Sequence, residues 1–294
     1  MRWYNKAIQY ARGNNSERRG FLMTRDLQTT AMHRVPPNGR RGKKAKGISL
    51  SASVQASVQE SIQDYQLGGH KVELEISQAV FQPTLTSRLL AQLVQVPSGA
   101  SVLDLGCGTG VLAIVAALKG AAHVDAVDVM VESRPLVEAN ARRNRVADRV
   151  AASSGDLFES VGAQRYDVII NDVSGVADEV ARLSPWYPPS IPTGGHDGAD
   201  HIVRMLSVAR EHLQPGGSLY FPTGSISNIP RTLEAARTAF GEKLEMIEQV
   251  EVPFCTEFRE NMDVMLRLRT EGVIDFVTRR SRHLWALQFY RCWA

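Results

Sequence analysis

Between Val102 and Gly110 the chain reads V-L-D-L-G-C-G-T-G: a short apolar strand signal with one acid in it, then three glycines at every second position. An apolar helix signal, Val111–Leu118, follows directly. Alternating glycines permit a tight turn and let the backbone approach a ligand closely at the carboxyl edge of a parallel sheet. The helix behind them offers unpaired N–H donors at its start. Dinucleotide-binding folds use G-x-G-x-x-G, so the G-x-G-x-G spacing argues against a nicotinamide oxidoreductase.

The rest of the chain repeats the strand–turn–helix theme. Apolar strand signals occur at Ser101–Leu105, His123–Val127, Arg149–Ala152 and Asp167–Ile170. Others follow at Ser218–Phe221, Leu244–Pro253 and His283–Trp293. Helical periodicity fills the gaps at Ser133–Asn144, Ala199–Leu213 and Arg231–Phe240, and a helix starts near Ala177. This alternation predicts an α/β fold, a seven-stranded mostly parallel sheet with helices on both faces. Upstream, Ser51–Gln66 reads as a helix stopping at Gly68-Gly69, Lys71–Ile76 as a strand, and Thr84–Leu93 as a helix opened by Pro83. Phe254–Val273 is too long for a simple hairpin and predicts an added helix or lid. Three segments result: a basic extension over 1–50, a lead-in over 51–95, and an α/β domain over 96–294.

Charge separates the first of these from the rest. Of 34 Lys/Arg, twelve lie in residues 1–50 with only two acids; the remainder carries 22 bases against 29 acids. Such an arm suits nucleic-acid phosphates or a solvated extension. No run of about 18 apolar residues suggests a membrane span. Three widely spaced cysteines, Cys107, Cys255 and Cys292, form no metal pair, and a reducing cytoplasm is expected.

Several acids stand where strands end. Asp104 precedes the glycines, where a carboxylate can hold a cationic amine. Asp128 closes the second strand, at the distance past the glycines where a carboxylate accepts both hydroxyls of a ribose. Gly155-Asp156-Leu157-Phe158 follows the third strand: the acid can accept an exocyclic amine, and Leu157 or Phe158 can pack on a ring. Asn171, Asp172 and Ser174 follow the fourth strand, with Asp172 a candidate general base.

In order and spacing, D-L-G-C-G-T-G, Asp128, Gly155–Phe158 and Tyr166–Asn171 resemble the class I S-adenosylmethionine-dependent methyltransferases, over roughly residues 80–225. The release-factor glutamine methyltransferases are the subgroup whose lead-in (Phe81 to Thr86), second-helix pattern (Asn140 to Asn144) and fifth unit (Gly194–Gly198, an amphipathic helix and Pro215-Gly216-Gly217) look most similar. The resemblance implies a Rossmann-like fold and an S-adenosylmethionine (SAM) site. That site comprises Asp104, Gly106, Cys107, Gly108, Gly110, Asp128, Val129, Asp156, Leu157 and Asn171. Asn171 and Asp172 then face a small-molecule or protein acceptor.

The subgroup's fourth strand ends in Asn-Pro-Pro-Tyr or Phe, whereas this chain reads Asn171-Asp172-Val173-Ser174. Amide or adenine transfer therefore does not follow from the resemblance. Two alternatives are other SAM-consuming chemistry (lyase, cyclase or aminocarboxypropyl transfer) and nucleic-acid methylation using the basic arm. Phe81, Ser174, Trp186 and Tyr187 are the candidate acceptor contacts. The pairs His196-Asp197 and Asp200-His201 lack metal-site spacing and flank a helix start, so no metal is expected.

Overall fold

The computed structural model describes residues 61–294. The basic arm and its proposed nucleic-acid contacts lie outside those residues. Two strands come first, β1 (Ser61–Leu67) and β2 (His70–Ile76), paired antiparallel from Leu67–His70 to Ser61–Ile76. This corrects the helix expected over 51–66 in its last part, the remainder lying outside the described residues. Gly68 and Gly69 have φ of +56° and +90°: they are a two-residue hairpin turn rather than a helix stop. Tyr65 and Leu67 alternate into the core with the period of a strand.

Then follow α1 (Leu85–Leu93), β3 (Ser101–Leu105), α2 (Val111–Leu118), β4 (His123–Asp128), α3 (Ser133–Arg143), β5 (Val150–Ser154) and β6 (Tyr166–Asn171). The second half holds α4 (Asp178–Leu183), α5 (Asp200–Ala209), β7 (Leu213–Gly224), α6 (Ile229–Phe240), β8 (Leu244–Pro253), α7 (Thr256–Glu260), α8 (Met262–Thr270), β9 (Val277–Arg279) and β10 (Arg282–Trp293). The seven main strands lie in the order β5-β4-β3-β6-β7-β10-β8. Pairings from β5 to β7 are parallel, and β10 runs antiparallel to both β7 and β8. The short β9 adds an eighth strand that pairs only with β10. Pro215–Gly217, expected as a turn before the fifth main strand, lies inside β7, where the register against β6 shifts between Tyr166 and Val168.

Strand parity sorts the core into two layers. Val102, Val124, Ala126, Val168 and Ile170 pack with α1–α3 and the hairpin. Leu103, Leu105, Val127 and Ile169 pack with α5 and α6. Helix α2 is apolar all round, and Val111–Ala117 are all buried, because the sheet, α3 and the hairpin surround it. The hairpin is tied to α3 by two asparagines one turn apart. Asn140 accepts from Glu75 N at 2.7 Å and donates to Glu75 O and Thr109 O; Asn144 accepts from Glu73 N at 3.0 Å and donates to Glu73 O at 2.7 Å. Four residues of helix and two of strand both advance about 6 Å, so the amides meet successive outward groups of β2 like a neighbouring strand. Among the described residues no helix is long and apolar enough to cross a membrane.

Candidate active site

The carboxyl ends of β3, β4, β5, β6 and β7 open onto a cavity of about 240 Å³. Ligands in open α/β sheets bind at this edge. One half is built by the glycine loop, β4 and the segment after β5: Gly106, Cys107, Gly108, Asp128, Val129, Asp156 and Leu157 all line it. Gly106 has φ +75°, and a Cβ there would stand 2.9 Å from the Val173 backbone. The loop after β3 and the chain leaving β6 therefore touch only because residue 106 has no side chain.

Asp128 is held from both sides. Its Oδ2 accepts from Gly108 N and its Oδ1 from Met130 N, each at 2.8 Å. Burial pushes its carboxyl up, and these donors oppose the shift. The carboxylate keeps accepting capacity for a ligand hydroxyl beyond these bonds. Leu157 sits at φ +53°, a conformation uncommon for a side chain of this kind, and holds its place on the cavity wall. Asp156 lines the cavity while its Oδ2 accepts from Arg204 Nη2 at 2.7 Å, so only part of its accepting capacity is free. Cys107 is buried, and its thiol is pushed well up by that burial and by Asp128 and Asp104.

Three expected ligand residues do not line the cavity. Asp104 shares the parity of Val102 and points under α2, where its Oδ2 accepts from Ala113 N at 2.9 Å. Burial first, then the neighbouring Asp172, hold its carboxyl well above the usual range. Gly110, at φ +80°, is the cap of α2, and a Cβ there would meet Val137 at 2.9 Å. Asn171 shares the parity of Ile169 and is fully buried, with neither amide atom paired.

The other half of the cavity belongs to the ends of β6, β7 and β10 and to the loop over 184–192. Asp172 shares the parity of Ile170 and turns toward α1, where its Oδ2 accepts from Ser87 Oγ at 2.6 Å. Burial raises its pKa to about 7, and the Ser87 bond opposes the rise. Ser174 lines the wall but its hydroxyl is engaged by the Tyr187 hydroxyl at 2.5 Å, and Tyr187 donates onward to Pro192 O at 2.7 Å. Phe81 meets Tyr187 edge-on, ring centres 5.0 Å apart. Tyr187 and Ser174 thus pin the loop as well as lining the cavity, and Trp186 stands beside them.

Residues that sequence reasoning missed complete this half. Ser87 forms a capping box with Thr84, a signal present in the sequence, but its contact with Asp172 joins positions 85 apart. Thr223, Trp285 and Leu287 line the cavity from β7 and β10, and no local motif marks them. Trp285 lies against Gly224, where a Cβ would stand 2.9 Å from its ring. The expected lid over 254–273 forms α7 and α8 but gives no residue to the cavity wall. Asp197 and Asp200 both pair with Arg231, at 2.7 and 2.6 Å.

Residues 79–173, from the lead-in to the end of β6, match the family model described as the methyltransferase small domain. Curated relatives share that region. A ribosomal protein uL3 glutamine methyltransferase of Bradyrhizobium diazoefficiens is 39% identical over 146 residues, 48% of this chain and 44% of that one. A release factor glutamine methyltransferase of Geobacter sulfurreducens is 32% identical over 162 residues, 52% and 56% of the two chains. Over this region the chain is similar to class I SAM-dependent methyltransferases. It spans about half the length of these relatives. In fold, it is similar to a T. thermophilus 16S rRNA N2 G1207 methyltransferase, with a TM-score of 0.53 and 19% identity over 81% of this chain and 52% of that one.

SAM is the cofactor of the methyltransferases that this region resembles, and the residues present fit it. The glycine loop leaves backbone exposed along the cavity, and Asp128 offers two oriented oxygens beside it. Leu157 supplies an apolar surface beyond.

Proposed function

We propose that this chain transfers the methyl group of SAM to a nucleophilic nitrogen or oxygen of a small molecule or a protein side chain. The observation that supports this reading best is that one continuous cavity joins the Gly106–Gly108 and Asp128 cradle to the Asp172 carboxyl. Bound SAM supplies an electrophilic methyl on a sulfonium. Displacement at such a carbon chiefly requires alignment of the reacting atoms, and little acid–base chemistry. Asp128 and the glycine backbone fix the donor's place. Trp186, Trp285, Ile191 and Leu287 form apolar walls at the acceptor end. Asp172, with a pKa of about 7, accepts a proton from the acceptor near neutrality.

The named activities of the relatives, glutamine methylation of ribosomal protein uL3 and of release factors, favour a nitrogen acceptor. The replacement of Pro-Pro-Tyr by Asp172-Val173-Ser174 favours a nitrogen other than their amide.

The test is mass spectrometry of the full chain incubated with SAM, alone and with a metabolite and peptide extract, beside Asp128→Ala. S-adenosylhomocysteine formed only with extract, and lost in the variant, supports methyl transfer. Methylthioadenosine formed without extract overturns it in favour of chemistry on another sulfonium carbon.

A further inference from the structure

The charge of the cavity wall points to a narrower acceptor class. Among the described residues that line it, three are carboxylic acids, Asp128, Asp156 and Asp172, and none is Lys or Arg. Arg204, which neutralises Asp156, is not part of the wall. An anionic acceptor, such as a phosphate ester or a carboxylate, meets no Lys or Arg on the wall and is opposed by the Asp172 carboxylate at the acceptor end.

Asp172 is the acid at the acceptor end. Its partner strand β7 places Pro222 and Gly224 on the same sheet face, and β10 adds Leu287 and Trp285. Ser174, Tyr187 and Thr223 bring hydroxyls to this end, and its carboxyl is that of Asp172, whose Oδ2 accepts from Ser87. An aromatic and aliphatic wall around one carboxylate recognises an ammonium group on an apolar body.

We infer, resting on the methyltransferase reading, that the acceptor is an aliphatic amine carried on an apolar or aromatic body, seated with its nitrogen on Asp172. The ammonium gives one proton to the Asp172 carboxylate and becomes a free amine. The nitrogen lone pair then forms the N–C bond as the C–S bond breaks, and that bond's electron pair stays on sulfur as a thioether. The product leaves as the methylammonium, and Asp172 releases its proton to solvent. No oxidant or further reactant is needed.

Asp172 governs how this depends on pH. Ser87 faces it from α1, while Arg88, the next residue, lies over the Tyr65 ring. Asp104 on β3 is in electrostatic contact with it. Asp128 on β4, Cys107, Tyr187 and His201 on α5 share the cavity wall. Amine binding requires ionised Asp172, so it weakens as pH falls through about 7.

The experiment is calorimetric titration of phenethylamine into the full chain saturated with S-adenosylhomocysteine, against 2-phenylethanol and 3-phenylpropionate as neutral and anionic analogues. Phenethylamine is expected to bind at least tenfold tighter than either at pH 8 and to lose most of that advantage at pH 6. Asp172→Asn is expected to erase the advantage while S-adenosylhomocysteine affinity stays within about twofold, which also verifies the fold. Ser87→Ala serves as a second variant, moving the pH midpoint of amine binding upward. Equal binding of the three analogues, no amine binding, or an unchanged advantage in Asp172→Asn overturns the inference. Failure of S-adenosylhomocysteine itself to bind instead removes the methyltransferase reading beneath it.

Discussion

The Ser87 hydroxyl, in the first turn of α1, donates to Asp172 Oδ2 at 2.6 Å, joining the lead-in helix to the end of β6. The bond favours the ionised carboxylate, so its loss raises the Asp172 pKa further above 7. In Ser87→Ala the rise of kcat/KM with pH is expected to move to higher pH. The accompanying loss of the capping box costs about 0.5–1 kcal/mol, because Thr84 still caps the residue 87 N–H. A pH–rate profile beside a urea unfolding curve separates the two effects.

Asp172 also links stability to pH. Its pKa rises from 3.8 to about 7 on folding, so between those values the folded chain binds more protons than the unfolded one. Stability from this group is therefore present below about pH 4 and is lost as pH rises through 7. Asp172→Asn removes that penalty. The variant is expected to gain Tm over the wild type at pH 8 and to gain little at pH 4, with a ceiling of roughly 4 kcal/mol. An equal gain at both pH values would place the effect in packing rather than in charge.

Asp128 satisfies the Gly108 and Met130 N–H groups at once. Asp128→Ala leaves both donors without a protein acceptor and removes the carboxylate from the cavity wall. The expected result is at least a tenfold loss of S-adenosylhomocysteine affinity by calorimetry, with destabilisation of about 1–3 kcal/mol. Asp128→Asn retains one acceptor oxygen and is expected to fall between.

The hairpin is secured chiefly by Asn140, fully buried with bonds to Glu75 N, Glu75 O and Thr109 O. Asn140→Ala is expected to destabilise by roughly 2–4 kcal/mol, since it strands three backbone groups. Asn144→Ala, on a partly exposed turn, is expected to cost about 1 kcal/mol. Hydrogen exchange should show the loss first in β1 and β2, the strands these asparagines tether.

What lies within one or two elements was legible in the chain. The glycine loop, its flanking β3 and α2, and the acid ending β4 all follow from local periodicity and turn chemistry. The ends of β3 and α2 fall at the expected residues, Ser101–Leu105 and Val111–Leu118. Gly68-Gly69 was misleading because two glycines can stop a helix or turn a hairpin. The partner strand, here β2, decides which.

The sequence by itself determined the α/β alternation, the glycine cradle and the composition of the strand ends, because each depends on neighbours a few positions apart. Tertiary structure decided which of those strand-end groups reach the cavity. Parity turns Asn171 to the opposite sheet face, the helix after the glycine loop covers Asp104, and Asp172 reaches the wall that Ser87, Trp285 and Leu287 also line. Those contacts join residues 85 or more positions apart, and only the packing of α1 and β10 around β6 and β7 brings them together. The titration of Asp172 near neutrality is likewise a product of burial, which no window of sequence contains.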